Sequence, residues 1–217
     1  MACLLMTRPP DAARRFVDLL PKSLTTDLTV IYSPLISVQP MEDHVSLDCS
    51  DAVIFTSSNG VSATDTVVDC KNRAAFCLGQ RTTQMASGAG WKAQVCGKTA
   101  DDLVEYLMQH RPPETLVHLR GQHSRGNIAA RLNEAGLTCR EQIVYDQRLL
   151  PLKTEANSAL AGLQNVIVPL FSPRTARQFA DLCPAGTKIH LIAMSEAVAQ
   201  PLKLLNYKSL HICKAPD

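Results

Sequence analysis

The chain has 217 residues, of which 46% are hydrophobic and 19% are charged, and its formal net charge at neutral pH is +2. This balance predicts a globular protein without the charge excess that attracts nucleic acid, and the chain lacks the ~18 consecutive apolar residues of a membrane helix. The eight cysteines include no C-x-x-C pair and the six histidines form no ligand cluster, so we expect a cytoplasmic protein with reduced cysteines and no metal site.

Hydrophobic periodicity predicts alternating strands and helices along most of the chain. The first part contains a strand near 3–6, a helix near 11–20, a strand near 28–32 and an extended connector at 35–39. The middle contains strands near 52–55, 74–78, 93–96 and 115–119, and helices near 59–70, 81–88, 100–109 and 125–135. After an extended stretch at 137–149, helices near 153–162, 173–181 and 195–205 alternate with strands near 165–169, 188–192 and 208–213. This alternation predicts parallel sheets with helices on both faces.

Part of the pattern occurs twice. Residues 55–58 (Phe-Thr-Ser-Ser) and 171–174 (Phe-Ser-Pro-Arg) each follow an apolar run, with an offset of 171 − 55 = 116. Trp91 and Tyr207 repeat the offset, since 207 − 91 = 116. An offset this long predicts two related domains rather than a solenoid of short units. A cleft between two such domains is a common place for a ligand.

The domains are predicted to be discontinuous, because the first two strands precede the middle domain and resemble nothing inside it. Residues 1–34 with 150–217 are predicted to form the first α/β lobe, and residues 40–141 the second. Two extended hinge strands, 35–39 and 142–149, would join them. The predicted fold is therefore two doubly wound parallel-sheet lobes with a two-stranded hinge and an active site in the cleft between the lobes.

Polar and cationic side chains follow several predicted strands. Parallel sheets bind ligands at the carboxyl ends of their strands, where helix N-termini and arginines bind anions. The groups predicted to bind a ligand with several separated negative charges are Arg8, Thr56, Ser57, Ser58, Asn59, Thr82, Arg120, Gly121, Ser172 and Ser195. The alternative for each serine or threonine is a helix cap.

Motifs of several common enzyme classes fail on their context. Residues 88–93 match G-x-G-x-x-A, but they follow a helix and precede a strand, the reverse of a dinucleotide-binding turn. Residues 121–126 lack the Lys-Ser/Thr pair of a phosphate-binding loop. His118 and His123 flank the end of a strand, and we interpret that spacing as incidental.

At these residues the chain resembles the uroporphyrinogen-III synthase family over nearly its whole length. The motifs that carry the resemblance are weak singly but specific in their order and spacing: residues 5–9, 54–61, 79–82, 119–121, 144–145 and 171–173. The resemblance implies two α/β lobes joined by a two-stranded ladder. It also implies a cofactor-free enzyme of tetrapyrrole (heme) biosynthesis, whose substrate is hydroxymethylbilane, a linear tetrapyrrole with eight carboxylates.

The reaction implied by the resemblance closes this chain of rings with inversion of ring D. Loss of the hydroxyl gives an azafulvene, which ring D attacks through its substituted carbon to give a spiro intermediate. Rearrangement and closure yield uroporphyrinogen III and water, whereas uncatalysed closure gives the type I isomer. The enzyme's main task is therefore to position the substrate.

The resemblance also implies roles for individual residues. Tyr145 matches the family's tyrosine near the hinge and would protonate the departing hydroxyl, since a phenol with a pKa near 10 is protonated at neutral pH. The alternative is that it only packs between the lobes. Thr82 and Ser195 match hydroxyl positions of the family, and the lobe-edge serines that match are Ser57, Ser58 and Ser172. Residues 193–195 (Ala-Met-Ser) depart from the usual glycine and threonine, so this edge is expected to bind differently.

Two other functions fit parts of the sequence. A non-catalytic, two-lobed module for an anionic small molecule would use the same arginines and hydroxyls but would not need Tyr145. A nucleotide- or phosphosugar-binding enzyme is disfavoured by the missing phosphate loops. We expect a monomer with hydroxymethylbilane as its partner and with no nucleic-acid or membrane partner.

Overall fold

The computed structural model describes residues 2–41, 45–64, 72–162, 165–187 and 189–214. The chain divides into two compact units, one of Met1–Ser37 with Arg148–Asp217 and one of Val38–Gln147. The chain changes unit between Ser37 and Val38, and again between Gln147 and Arg148. Both points lie in segments that the sequence analysis assigned to the hinge, 35–39 and 142–149.

Eleven strands and nine α-helices are present in these described ranges. The strands are β1 (Ala2–Met6), β2 (Leu28–Tyr32), β3 (Ile36–Pro40), β4 (Asp51–Phe55), β5 (Ala74–Cys77), β6 (Lys92–Val95), β7 (Thr115–Gly121), β8 (Cys139–Leu149), β9 (Asn165–Leu170), β10 (Ile189–Ala193) and β11 (Ser209–Ile212). The helices are α1 (Pro10–Asp18), α2 (Lys22–Thr25), α3 (Ser58–Thr64), α4 (Gly79–Gly88), α5 (Ala100–His110), α6 (Ile128–Glu134), α7 (Thr154–Ala161), α8 (Pro173–Leu182) and α9 (Glu196–Ala199).

Each unit is built on one sheet. The first sheet has the order β11-β10-β9-β1-β2, and every neighbouring pair in it is parallel. The second has the order β6-β5-β4-β7-β8-β3, with parallel pairs from β6 through β8. The predicted fold class, two α/β units with parallel sheets, is confirmed.

The internal repeat is more complete in the structure than in the sequence. The run β4, β5, β6 of the second sheet corresponds in order to β9, β10, β11 of the first. Beside β9, the first sheet carries β1 and β2 in the places that β7 and β8 occupy beside β4. The first two strands, which we expected to have no counterpart in the middle domain, therefore do have a topological one.

Some predicted elements differ in extent. The helix predicted over 195–205 ends at Ala199 and continues as a 3-10 turn over Gln200–Leu204, because Pro201 has no N–H for a helical hydrogen bond. The short helix α2, which begins after Pro21, was not predicted. Residues 65–70 of the helix predicted over 59–70 lie outside the described residues.

The central strand β4 explains why the second sheet has cores on both faces. All five of its residues are buried. Val53 and Phe55 belong to a cluster with Tyr145, whereas Ala52 and Ile54 belong to a cluster with side chains of α5 and α6. A strand covered on both faces reads as a continuous apolar run, and the polar residues that follow it emerge at the carboxyl edge of the sheet.

Candidate functional site

The phenol of Tyr145 lies where two strands of the second sheet, β4 and β7, end. Tyr145 itself is within β8, is 6% exposed and pairs with Gly121, the last residue of β7, across a register shift that follows Arg120. A Cβ atom on Gly121 would lie 2.5 Å from Cε2 and 2.6 Å from Cζ of Tyr145. The ring therefore packs directly on the Gly121 backbone, in space that only glycine leaves open.

Polar groups from two neighbouring strand ends interact with the hydroxyl of Tyr145 and lower its pKa. They are the side chains of Ser57 and Asn59, which follow β4, and the backbone N–H of Gly121. Burial raises the pKa of Tyr145 above its ordinary value, and these three hydrogen bonds offset part of the increase. The phenol thus keeps its proton at neutral pH, beside a backbone N–H that can stabilise a developing phenolate.

The structure brings together four of the residues predicted for this unit: Ser57, Asn59, Gly121 and Tyr145. Ser57 also accepts a hydrogen bond from the backbone N–H of Asn59 at 3.2 Å, which fixes the turn that precedes α3. Ser58 is half-buried at the start of that helix, and Thr82 is buried within α4. Among the described residues, the groups that interact with the Tyr145 hydroxyl do not include Ser58 or Thr82.

Arg120 was expected to hold a substrate carboxylate, but the structure gives its guanidinium partners within the protein. Nε donates to Oε2 of Glu141 at 2.8 Å. Nη1 donates to the carbonyl of Gly121 at 2.9 Å and to that of Gln122 at 3.4 Å. Glu141 therefore pairs with its charge at the end of β7, and the anchoring of a substrate carboxylate by Arg120 stays a prediction.

His118 is a buried polar residue, and its spacing from His123 was interpreted above as incidental. It is 1% exposed, and its Nε2 lies 3.2 Å from Oγ1 of Thr56. Its Nδ1 lies 3.5 Å from Oε1 of Glu141, too far for a strong hydrogen bond. Burial lowers the pKa of His118 to about 4, with Glu141 opposing the shift and Arg120 adding to it. The sequence feature that could have indicated its burial is its position between Val117 and Leu119, in a strand covered on both faces.

We expect His118 to make folding stability depend on pH in the acid range. An unfolded histidine takes up a proton near pH 6.5, whereas folded His118 does so only near pH 4. Between these values the unfolded state binds more protons, so stability falls as pH is lowered from 7 to 4, by up to about 3 kcal/mol from this residue. Urea unfolding of wild type and His118→Gln at pH 7 and pH 4.5 measures this contribution. Equal losses of stability in both proteins would contradict it.

The first unit presents its predicted residues in a different way. Ser172 caps α8 by accepting a hydrogen bond from the N–H of Thr175 at 3.2 Å, and Ser195 caps α9. The guanidinium carbon of Arg8 lies 4.1 Å from the ring centroid of Phe171, a cation–π contact that orients the arginine. The capping alternative is thus realised for both serines of this unit.

The described ranges contain no group of three or more histidine, cysteine or acidic side chains suited to a metal ion. Nor do their helices combine the length and hydropathy that crossing a bilayer requires.

Comparisons with known proteins agree with one another. The family model described as uroporphyrinogen-III synthase HemD matches residues 22–217. The crystal structure of uroporphyrinogen-III synthetase from Helicobacter pylori is 15% identical, with a TM-score of 0.72, over 100% of this chain and 94% of that one. A mutant uroporphyrinogen III synthase from Thermus thermophilus is 11% identical, with a TM-score of 0.55, over the same shares. At these identities the two structures show likeness of fold, and no curated protein matched.

Proposed function

We propose residue roles for this chain on the premise that it belongs to the uroporphyrinogen-III synthase family, whose model matches residues 22–217. As a member of that family it is a lyase of tetrapyrrole and heme biosynthesis that acts without a cofactor. It converts hydroxymethylbilane to uroporphyrinogen III and water, with inversion of ring D. The observation that carries our assignment of roles is the buried hydroxyl of Tyr145 beside Ser57, Asn59 and the Gly121 N–H.

Tyr145 is the proposed general acid. As the bond between the hydroxymethyl carbon and its oxygen breaks, the phenol gives its proton to the oxygen, which leaves as water. The resulting phenolate accepts the hydrogen bond of the Gly121 N–H, which opposes the charge that develops. Tyr145 regains a proton when the substrate loses one on final closure, so the step needs no other reagent.

The proposed substrate carboxylate contacts are hydroxyl, amide and guanidinium groups at the strand ends. In the second unit they are Thr56, Ser57, Ser58, Asn59, Thr82 and Arg120, with the backbone of Gly121. In the first unit they are Arg8, Ser172 and Ser195. Capping and substrate binding are compatible at Ser195, because a hydroxyl oxygen that accepts from a helix N–H still has its own hydrogen to donate. At Ser172 the hydroxyl lies 2.8 Å from Oγ1 of Thr175, and its hydrogen has to turn from that oxygen to a substrate carboxylate. A stacked arginine such as Arg8 is suited to carboxylate recognition.

The finer expectations about partners and location remain proposals. We propose that the chain acts as a cytoplasmic monomer and takes neither nucleic acid nor membranes as partners. The small net charge of +2 supports the absence of nucleic-acid binding, and the free cysteines among the described residues support the cytoplasmic location. Sedimentation analysis of the purified protein tests the monomer.

The product isomer tests the function against a non-catalytic binding module. Freshly made hydroxymethylbilane is incubated with the protein, the product is oxidised, and type III is separated from type I. We expect mainly type III, because the protein must direct ring D to its substituted carbon. A heat-denatured sample gives the type I background. Type I alone, formed at the rate of that background, would contradict catalysis and favour the binding module.

A further inference from the structure

On the face of the sheet opposite Tyr145, polar side chains contact one another in a series that runs from the end of β4 to the end of β7. They are Thr56, His118, Glu141 and Arg120. Along β7, His118 and Arg120 alternate with Val117 and Leu119, which belong to the cluster of Tyr145. His118 therefore points to the other face, where it contacts Thr56 after β4 and Glu141 on β8. Glu141 in turn binds Arg120, which completes a continuous chain of polar contacts.

The first and last residues of this series of polar contacts, Thr56 and Arg120, each precede a residue that lies beside the phenol of Tyr145. Thr56 precedes Ser57, whose side chain bonds to the Tyr145 hydroxyl. Arg120 precedes Gly121, whose backbone lies against the same oxygen, since a Cβ atom on Gly121 would lie 2.9 Å from it. Arg120 also donates to the carbonyl of Gly121, on the peptide that follows the N–H of that residue, and so restrains the backbone of Gly121 at the register shift.

We propose that Thr56, His118, Glu141 and Arg120 form a positioning network that holds Ser57 and Gly121 in contact with the hydroxyl of Tyr145. The inference rests on the proposed role of Tyr145 as the acid. The network does not touch the phenol, so it acts through the backbone of two strand ends. Glu141 is its central member, since its carboxylate faces both the buried His118 and Arg120.

Glu141→Ala is the most direct test, because the side chain is 31% exposed and its removal leaves no buried cavity. We expect kcat to fall about tenfold, since small misplacements of catalytic groups are costly, while KM stays within about twofold. Glu141→Gln should recover most of the loss, because its amide oxygen can still accept from Arg120. Glu134→Ala, at an exposed position on α6, is the matched control and should behave as wild type.

A double-mutant cycle with Tyr145→Phe separates positioning of the acid from general weakening of the fold. Without the phenol hydroxyl the network has nothing to position, so adding Glu141→Ala should change kcat by less than about twofold. An equal loss of kcat in both backgrounds would overturn the inference, as would unchanged kcat in Glu141→Ala alone. Wild-type turnover in Tyr145→Phe would instead overturn the proposed acid, which is a separate result.

Discussion

Tyr145→Phe is expected to lower turnover by about one to three orders of magnitude, because it removes the proton that the leaving hydroxyl needs. The ring and its packing on Gly121 are kept, so the fold and KM should be nearly unchanged. The loss should be confined to departure of the hydroxyl, so the residual product should still be mainly type III. Steady-state rates of bilane consumption, with the isomers separated after oxidation, measure both effects.

Tyr106→Phe is the matched control for this substitution. Tyr106 lies on α5, where its ring stacks on that of His110 at a centroid distance of 3.9 Å. Removing its hydroxyl keeps that contact and leaves the ends of the strands untouched, so turnover should equal that of wild type. Turnover of Tyr145→Phe at the wild-type rate would remove Tyr145 from the mechanism and leave positioning as the source of rate.

Gly121→Ala should damage both the site and the fold. The added methyl would lie 2.5–2.6 Å from two ring atoms of Tyr145, so the buried ring has to move. Overpacking of this kind costs about 1–3 kcal/mol of folding stability. Displacement of the phenol should lower kcat by about a hundredfold. Urea denaturation and steady-state rates measure the two losses.

Gly88→Ala tests whether the effect comes from the collision rather than from losing a glycine. Gly88 is the last residue of α4, and a Cβ there would have no heavy atom within 4 Å. This substitution should leave kcat unchanged and raise stability by up to about 1 kcal/mol, since alanine favours a helix. Wild-type kcat in Gly121→Ala would mean that the phenol tolerates displacement, and would count against its role as a positioned acid.

Hydrophobic periodicity and residue preferences were enough to predict most helices and strands, because both depend only on residues within the same segment. The continuous apolar run of β4 and the helix-forming stretches beside it are examples. The break at Pro201 shows the limit, since the apolar spacing continued through a residue that cannot donate a helical hydrogen bond. The equivalence of β1 with β7 was not predictable from local pattern, because it arises from the order of strands in a sheet.

In the candidate site too, features that depend on local sequence were predicted, and those that depend on the arrangement of the sheet were missed. Ser57 and Gly121 were predicted from their places after strands and Tyr145 from the family resemblance, and the structure places both Ser57 and Gly121 beside the Tyr145 hydroxyl. The partner of Arg120 was missed because Glu141 lies 21 residues further on, and their pairing depends on the register of β7 with β8. Register between parallel strands is set by packing of the whole sheet, which the spacing of residues does not reveal.

The placement of β1 has a consequence for synthesis on the ribosome. The strand pairs with β2 and also with β9, and the register joins Ala2 to Asn165, a separation of 165 − 2 = 163 residues. All strands of the second sheet lie within residues 36–149, so that sheet can assemble while the tail of the chain is still being made. The first two strands must wait, with one edge of β1 open, until β9 emerges. Strands β1 and β2 are thus made before the second sheet but joined to β9 only after it, and the open edge of β1 is exposed to wrong pairing in the interval.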